Sequence, residues 1–291
     1  MAVFVRVVDA GSFTAAAHGQ GTTTSSVSKR VAQLEDRLGV RLLDRTTRKV
    51  ALTEAGGAFY ERCVRILADV EDAELAVTTL GGRPRGTLRV SAPVTFGEVH
   101  VAPRMALFLA RYPDLRVDLS LSDRYVSLVE EGFDVAVRIG QLADSSLVAR
   151  KLCGAGVVVC ASPAYLAEHG TPNLPAELLQ HNCLRYTLVS PQQEWRFHGT
   201  NGEFSVPVRG NFDSNHGGAM REAVLRGLGI ARLPDFIVAD ALAQGTLRSL
   251  LDGYRAPDLG VFAVHPAGKH PPPKVTALID FLAAELHGPR G

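Results

Sequence analysis

Cysteine is scarce and unpatterned in this chain. Four occur in 291 residues, Cys63, Cys153, Cys160 and Cys183. None forms a C-x-x-C pair, and no histidines cluster at metal-ligand spacing, so neither a disulfide framework nor a zinc site organises the fold. The thiols read as small buried apolar groups, and we expect no metal and no cofactor. Long hydrophobic runs are also missing. No apolar stretch reaches the roughly 20 residues of a membrane span, and no signal peptide precedes the first helical pattern, so the cytoplasm is the expected compartment. The abrupt start of that pattern, with no cap before it, leads us to expect a few residues upstream of Met1. Excess charge is lacking too: the net charge is +1, with 21% charged residues. That excludes general polyanion binding by the whole surface. Finally, there is no G-x-S-x-G elbow, no phosphate-binding G-x-x-x-x-G-K-[ST] loop and no H-E-x-x-H. Gly227-Leu228-Gly229 is only a G-x-G, and His265 and His270 have no visible nucleophile to serve. We expect no enzymatic activity.

What charge there is lies unevenly. Residues 1–52 carry eight basic side chains against four acidic ones, and residues 53–80 carry two against six. A basic head beside an acidic stem points to one localised polyanion contact. The head contains the most informative stretch, Ser12 to Ala55. Residues 2–10 have the pattern of a short helix with Val3, Phe4, Val7 and Val8 apolar. A second helix is expected from Phe13 to Gln20, with Ser12 as N-cap. Gly21 occupies the turn. A third helix runs from Thr23 or Thr24 to Leu38. Its apolar positions Val27, Val31, Leu34 and Leu38 share one face, and Gly39 ends it. The opposite face carries Thr24, Ser25, Ser28, Lys29 and Ala32. A helix that opens with hydroxyls and carries basic side chains suits a DNA major groove. Two short apolar runs then flank Arg45-Thr46-Thr47-Arg48-Lys49, the pattern of a β-hairpin wing with a basic tip beside the reading helix. Exposed basic residues on a turn are common, but the position favours contact with the DNA backbone.

The clearest period in the chain follows. Phe59, Cys63, Ile66, Val70, Ala73, Val77 and Leu80 recur at alternating spacings of four and three. This predicts a long helix from an N-cap at Thr53 to Leu80, with a seam for a partner helix. A second copy of the same helix is the simplest partner; packing against its own domain is the alternative. Dimerisation would let two reading helices engage a two-part site. Gly81 to Gly86 then breaks the helix. From Thr87 onward apolar strands alternate with helical patterns, as in an α/β sheet flanked by helices.

These residues match a family. FVRVVDAGSFTAAA, SSVSKRVAQLEDRLGVRLLDRTTRKVALTEAG, GTLRVSAP, RYPDLRVDLSLSD, EEGFDVAVRIG and GLGIARLPDF together resemble the LysR-type transcriptional regulators over essentially the full length. The resemblance implies an N-terminal all-α winged helix-turn-helix and a C-terminal two-lobed α/β effector domain like that of periplasmic solute-binding proteins. The expected organisation is a DNA-binding domain at 1–53, a dimerising linker helix at 54–80 and a hinge at 81–86. The effector domain follows at 87–291, with lobe I at about 87–161 and 266–291 and lobe II at about 162–265. Carried onto this sequence, DNA would meet Thr23, Thr24, Ser25, Ser28 and Lys29 on the helix, and Arg45, Arg48 and Lys49 on the wing. Dimerisation would use Phe59, Cys63, Ile66, Val70, Ala73 and Val77. The effector would lie between the lobes, near Thr95 and Phe96, Ser122 and Asp123, Arg138 to Gly140, and the turn at Ser214, Asn215 and His216. Each of these has an ordinary alternative role as a helix cap or turn residue.

The resemblance further implies double-stranded DNA and an unnamed small-molecule effector as partners, contact with RNA polymerase, and a homodimer or tetramer. A DNA-binding protein with no ligand would have no need of the roughly 200 residues after the linker, more than a whole typical domain. The sequence departs from the family at Gly19, at Gln20, where a core-facing leucine is usual, and at Thr22. If buried, Gln20 needs hydrogen-bond partners, and leaving them out costs about 1–3 kcal/mol.

Overall fold

The computed structural model describes residues 1–46, 49–78, 83–140, 147–188, 193–199, 202–254, 256–267 and 271–286. Two compact units, Met1–Gly82 and Arg83–Gly291, make up the chain.

The first unit opens with α1 (Ala2–Asp9), α2 (Phe13–Gly19) and α3 (Thr24–Leu38), followed by the antiparallel pair β1 (Leu43–Thr46) and β2 (Lys49–Leu52) and the long α4 (Glu54–Thr78). Side chains close the helix starts. Ser12 Oγ accepts from the Ala15 amide at 3.0 Å, Thr23 Oγ1 from Ser26 at 3.3 Å, and Thr53 Oγ1 from Gly56 at 2.9 Å. Each satisfies an amide that a helix start would otherwise leave bare. Gly39 adopts φ of 68° at the end of α3, where a side chain would be strained. Phe4, Val7, Ala16, Ala17, Val27 and Val31 form the core with Leu42, Leu43 and Cys63.

Leu38 departs from its expected core position. It is 40% exposed, because α3 ends there and the chain turns away before the core can cover it. Gln20 is half-buried, and its amide nitrogen finds no acceptor among the described residues, so the headpiece carries the expected cost of a polar group at this position.

The second unit has two sheets. In chain order it contains β3 (Gly86–Ala92), α5 (Val94–Phe96), a π-helical turn (Gly97–Val101), α6 (Ala102–Arg111), β4 (Leu115–Leu121), α7 (Leu128–Glu131), β5 (Val135–Ile139), β6 (Leu147–Ala155), β7 (Val157–Ala161) and α8 (Pro163–His169). A 3-10 turn (Pro175–Gln180) leads to β8 (Cys183–Tyr186), β9 (Glu194–Gly199), β10 (Gly202–Pro207), β11 (Asp213–Ser214), α9 (Gly217–Leu225), β12 (Ile230–Pro234), α10 (Asp235–Ala243), β13 (Arg248–Leu250), β14 (Leu259–Pro266) and α11 (Pro273–Leu286). The first sheet has the order β4-β3-β5-β14-β6, the second β11-β8-β12-β7-β13, and β9 and β10 form a separate hairpin. Within the first sheet, β3 runs parallel to β4 and β5, placing Val90 beside Leu119 and Val135. Alternating strands and helices give this unit the α/β class read from its sequence pattern.

The chain passes between lobes after β6 and again before β14. The lobe boundaries therefore move from the expected ones. β7 belongs to lobe II because it pairs with β12 and β13, and most of β14 lies before residue 266 yet belongs to lobe I because it pairs with β5 and β6. Lobe I is pinned at its end by Lys274 of α11, which is 4% exposed. Its ammonium donates to the Thr87 carbonyl at 2.8 Å and pairs with Asp134 at 3.2 Å. Asp134 also accepts from the Arg89 amide at 2.8 Å.

Candidate nucleic-acid interface and effector pocket

α3 divides its side chains cleanly. Val27, Val31 and Leu34 enter the core, while Thr24, Ser25 and Lys29 are exposed and Ser28 is half-buried at the edge. Thr23 is exposed, but its hydroxyl already caps the helix and hydrogen-bonds Ser25 Oγ at 3.0 Å. The start of α3 thus presents exposed short polar and basic side chains over its first two turns, an arrangement that favours phosphate and base edges.

Glu35, buried on the other face, accepts from the amides of Leu42 at 2.9 Å and Leu43 at 3.1 Å. It thereby fixes the direction in which the chain leaves α3 towards the wing. Sequence reading passed over it as one more charged residue. Its signal was a carboxylate one position beyond Leu34, on the apolar side of the helix. Arg45 lies on β1 and Lys49 on β2; their side chains, and all of Arg48, are outside the described residues.

The expected α4 seam is two different things. Cys63 is fully buried in the headpiece core and so faces its own domain and not a partner, while Phe59 is half-buried and packs one side against that core. The reason is geometric: the first turns of α4 lie against α1, where Phe59 and Phe4 have ring centroids 5.7 Å apart. Ile66 and Val70, further along, are 45% and 49% exposed. The side chains of Ala73 and Val77, and all of Leu80, are outside the described residues.

In the second unit, the carboxyl ends of parallel strands meet at one cavity of about 200 Å³. Lobe I contributes Ser91 at the end of β3, Ser122 and Asp123 just beyond β4, and Arg138 to Gly140 at the end of β5; lobe II contributes Tyr186 from β8 and Pro234 from β12. Strand ends of open α/β sheets are where ligand crevices form, since the loops diverge there and leave space. Thr95 and Phe96 on α5 line the same cavity.

Asn215 and His216 do not line it. They follow β11, the outermost strand of its sheet, and His216 Nδ1 instead caps α9 by accepting from Ala219 at 3.1 Å. Conversely, Ser91, Tyr125, Tyr186 and Phe236 line the cavity without having been singled out from the sequence. For Ser91 and Tyr186 the position at a strand's carboxyl end was the available signal.

The wall has specific chemistry. Asp123 accepts from the Val94 amide at 2.9 Å through Oδ1, so the first free amide of α5 is already taken. Its Oδ2 is buried with no hydrogen-bond donor among the described residues. Arg138 donates to the Val126 carbonyl at 3.0 Å and lies over the Tyr125 ring at 4.8 Å, a cation–π contact. Burial, and then the charge of Asp123, push the Tyr186 phenol well above its ordinary value, which keeps it a neutral hydroxyl.

Across the lobes, Phe96 meets Phe236 edge-on at 5.3 Å, and His100 of the π-helical turn lies against both, tilted to Phe96 at 4.8 Å and edge-on to Phe236 at 5.8 Å. Burial, and then the positive charge of Arg104, lower the His100 pKa from its usual 6.5. The start of α9 closes in on the same place: a Cβ added to Gly217 would come within 2.9 Å of Thr95 Oγ1 and 2.7 Å of Ile237 Cδ1. π-turns of this kind are frequent at functional sites.

Among the described residues no cluster of side chains could hold a metal, and no helix is long and apolar enough to cross a membrane. None of the four cysteines forms a disulfide, and burial pushes Cys160 and Cys183 up to about 12, far from thiolate chemistry.

A capped helix-turn-helix unit joined to a two-lobed unit with a cavity between its lobes defines a DNA-binding regulator with a ligand-binding domain. Comparison with known proteins agrees. The family of bacterial regulatory helix-turn-helix proteins, lysR family, matches residues 1–57, and the LysR substrate binding domain matches residues 81–287. An uncharacterized HTH-type transcriptional regulator of Haemophilus influenzae is 38% identical over 278 residues, 96% of each chain. The HTH-type transcriptional regulator CrgA of Neisseria meningitidis serogroup C is 38% identical over 287 residues, covering 98% of this chain and 96% of that protein. The solved structure of Neisseria meningitidis CrgA matches with a TM-score of 0.64 at 37% identity, over 99% of this chain and 98% of that one. The full-length structure of the Vibrio cholerae virulence activator AphB matches with a TM-score of 0.62 at 31% identity, over 98% and 97%. The chain belongs to the LysR family of transcriptional regulators.

Proposed function

We propose that this regulator reads double-stranded DNA with the exposed face of α3, with Thr24, Ser25, Ser28 and Lys29 as contacts, Thr23 at its start and Arg45, Arg48 and Lys49 on the adjacent wing. A small organic effector occupies the cavity between the lobes. The observation that carries this reading is the convergence of strand ends from both lobes on one cavity, because a molecule touching both can favour one lobe arrangement over another. An effector acts only through such differential affinity. In a dimer, or a tetramer made of two dimers, the shift alters the spacing of paired reading heads, and through it promoter bending or contact with RNA polymerase. The exposed Ile66 and Val70 of α4 supply the dimer contact, with Ala73 and Val77 continuing it. The protein carries no enzymatic activity and works in the cytoplasm without a cofactor.

Selection of genomic fragments on the immobilised full chain tests this. The reading expects a small set of enriched sites with two half-sites about one helical turn apart, retained less as salt rises. Absence of any salt-sensitive enrichment would overturn it.

A further inference from the structure

We propose that the cavity takes a small zwitterion, an amino acid with an apolar side chain, whose ammonium is held by Asp123 and whose carboxylate is held by Arg138. The proposal rests on the reading of this cavity as the effector site. Both side chains lie on the cavity wall, yet among the described residues Asp123 meets only the Val94 amide and Arg138 only the Val126 carbonyl and the Tyr125 ring, so no ion pair joins the two. A charge taken out of water without a partner is costly, so each of the two favours an opposite charge brought by a ligand.

Asp123 is held in place from one side only. Oδ1 is fixed by the Val94 amide at 2.9 Å, and Oδ2 is buried without a donor. A buried carboxylate oxygen in that state is an acceptor waiting for a donor, and an ammonium is the strongest available. Arg138 is oriented rather than consumed. One of its N–H groups serves the Val126 carbonyl and its plane rests on Tyr125. A guanidinium has five N–H donors in a fixed fork, so its remaining donors can grip a carboxylate.

Size and lining complete the description. A cavity of about 200 Å³ lies below the roughly 300–1,000 Å³ of pockets for drug-sized ligands, which suits a small metabolite. Phe96, Phe236 and Leu259 give it an apolar wall, and the hydroxyls of Ser91 and Thr95 add polar contacts short of a second charge.

The test is a thermal-shift titration of the full chain with the twenty common L-amino acids. Each one that stabilises is repeated as its des-amino carboxylic acid and as its decarboxylated amine. The expected result is stabilisation by at least one apolar amino acid, with either truncated analogue weaker by about tenfold to a hundredfold, the range for a lost hydrogen bond to a charged group. Asp123→Asn keeps the oxygen that accepts from Val94 and should erase the preference for the amino acid over its des-amino acid. Arg138→Gln should erase the preference over the amine. If the des-amino acids bind as well as the amino acids, with a dependence on Arg138 alone, the zwitterion is refuted while the cavity remains the effector site. Stabilisation that survives unchanged in both variants moves the ligand out of this cavity and refutes both readings. No stabilisation by any of the twenty refutes the zwitterion.

Discussion

Replacing Glu35 with alanine should disable the headpiece without touching its DNA-facing surface. Glu35 is buried, and its carboxylate receives the amides of Leu42 and Leu43 at 2.9 and 3.1 Å. Alanine leaves both donors buried with no acceptor in the vacated space. An orphaned buried donor costs about 1–3 kcal/mol, so the pair costs about 2–6 kcal/mol. The first unit spans Met1–Gly82, and a domain of that length is stable by roughly 4–12 kcal/mol in total. The substitution thus removes about half of the unit's stability. Glutamine keeps an oxygen in the same place and should cost only about 1 kcal/mol.

Hydrogen exchange at the Leu42 and Leu43 amides reads the effect directly. Fluorescence of Trp195, the chain's one tryptophan, follows the second unit, in which it is fully buried. The expectation is accelerated exchange and lost DNA retention for Glu35→Ala, near-normal behaviour for Glu35→Gln, and an unchanged Trp195 transition for both. Alanine within about 1 kcal/mol of the parent would refute the argument, because two orphaned donors cannot be that cheap.

Three further expectations follow from other parts of the molecule. Lys274→Met should destabilise lobe I by about 3–5 kcal/mol, the usual cost of breaking a buried pair from one side, and calorimetry of Lys274→Met combined with Asp134→Asn should recover part of it; strict additivity would mean the two do not act together. His100 is held neutral by burial and by Arg104, with Asp235 opposing. Its native pKa lies below the unfolded 6.5, so the unfolded chain binds the extra proton and stability falls as pH drops from 6.5 towards the native value. His100→Gln should flatten that part of the pH–stability curve, and an unchanged slope would assign it to other groups. Val70→Asp should dissociate the dimer in sedimentation while leaving the headpiece folded, and a persistent dimer would exclude this part of α4 from the interface.

How much of this was legible in the sequence depended on how local the cause was. Ser12, Thr23, Thr53 and Gly39 act within one turn of the backbone, so the helix ends could be read directly. Val27, Val31 and Leu34 followed from a period of 3.6, but Leu38 did not, because a period says nothing about where the core stops. The four-three spacing on α4 correctly marks an apolar stripe, yet spacing alone cannot say what covers it. The headpiece covers Cys63 and one side of Phe59 and leaves Ile66 and Val70 bare.

Lobe membership of β7 and β14 was illegible for a different reason. It is fixed by pairing with strands far along the chain, and that pairing leaves no local trace. The cavity was half legible. Thr95, Phe96, Ser122, Asp123 and Arg138 came through the family resemblance and line it. Asn215 and His216 do not line it, and His216 is taken up in capping α9, a local role that a turn residue has as readily as a ligand contact. Glu35 shows the converse case, a charged residue whose fixed role appears only once the chain has folded back to place two amides against it.

The central claim is that the exposed face of α3 docks on DNA, and the salt dependence of Lys29→Ala tests it most directly. On a fragment selected by the parent chain, each neutralised phosphate contributes about 0.9 to the slope of log affinity against log salt. The account predicts weaker binding for Lys29→Ala and a slope reduced by about one such unit, with the fold unchanged by circular dichroism. Parent-like affinity and slope at physiological salt would contradict it.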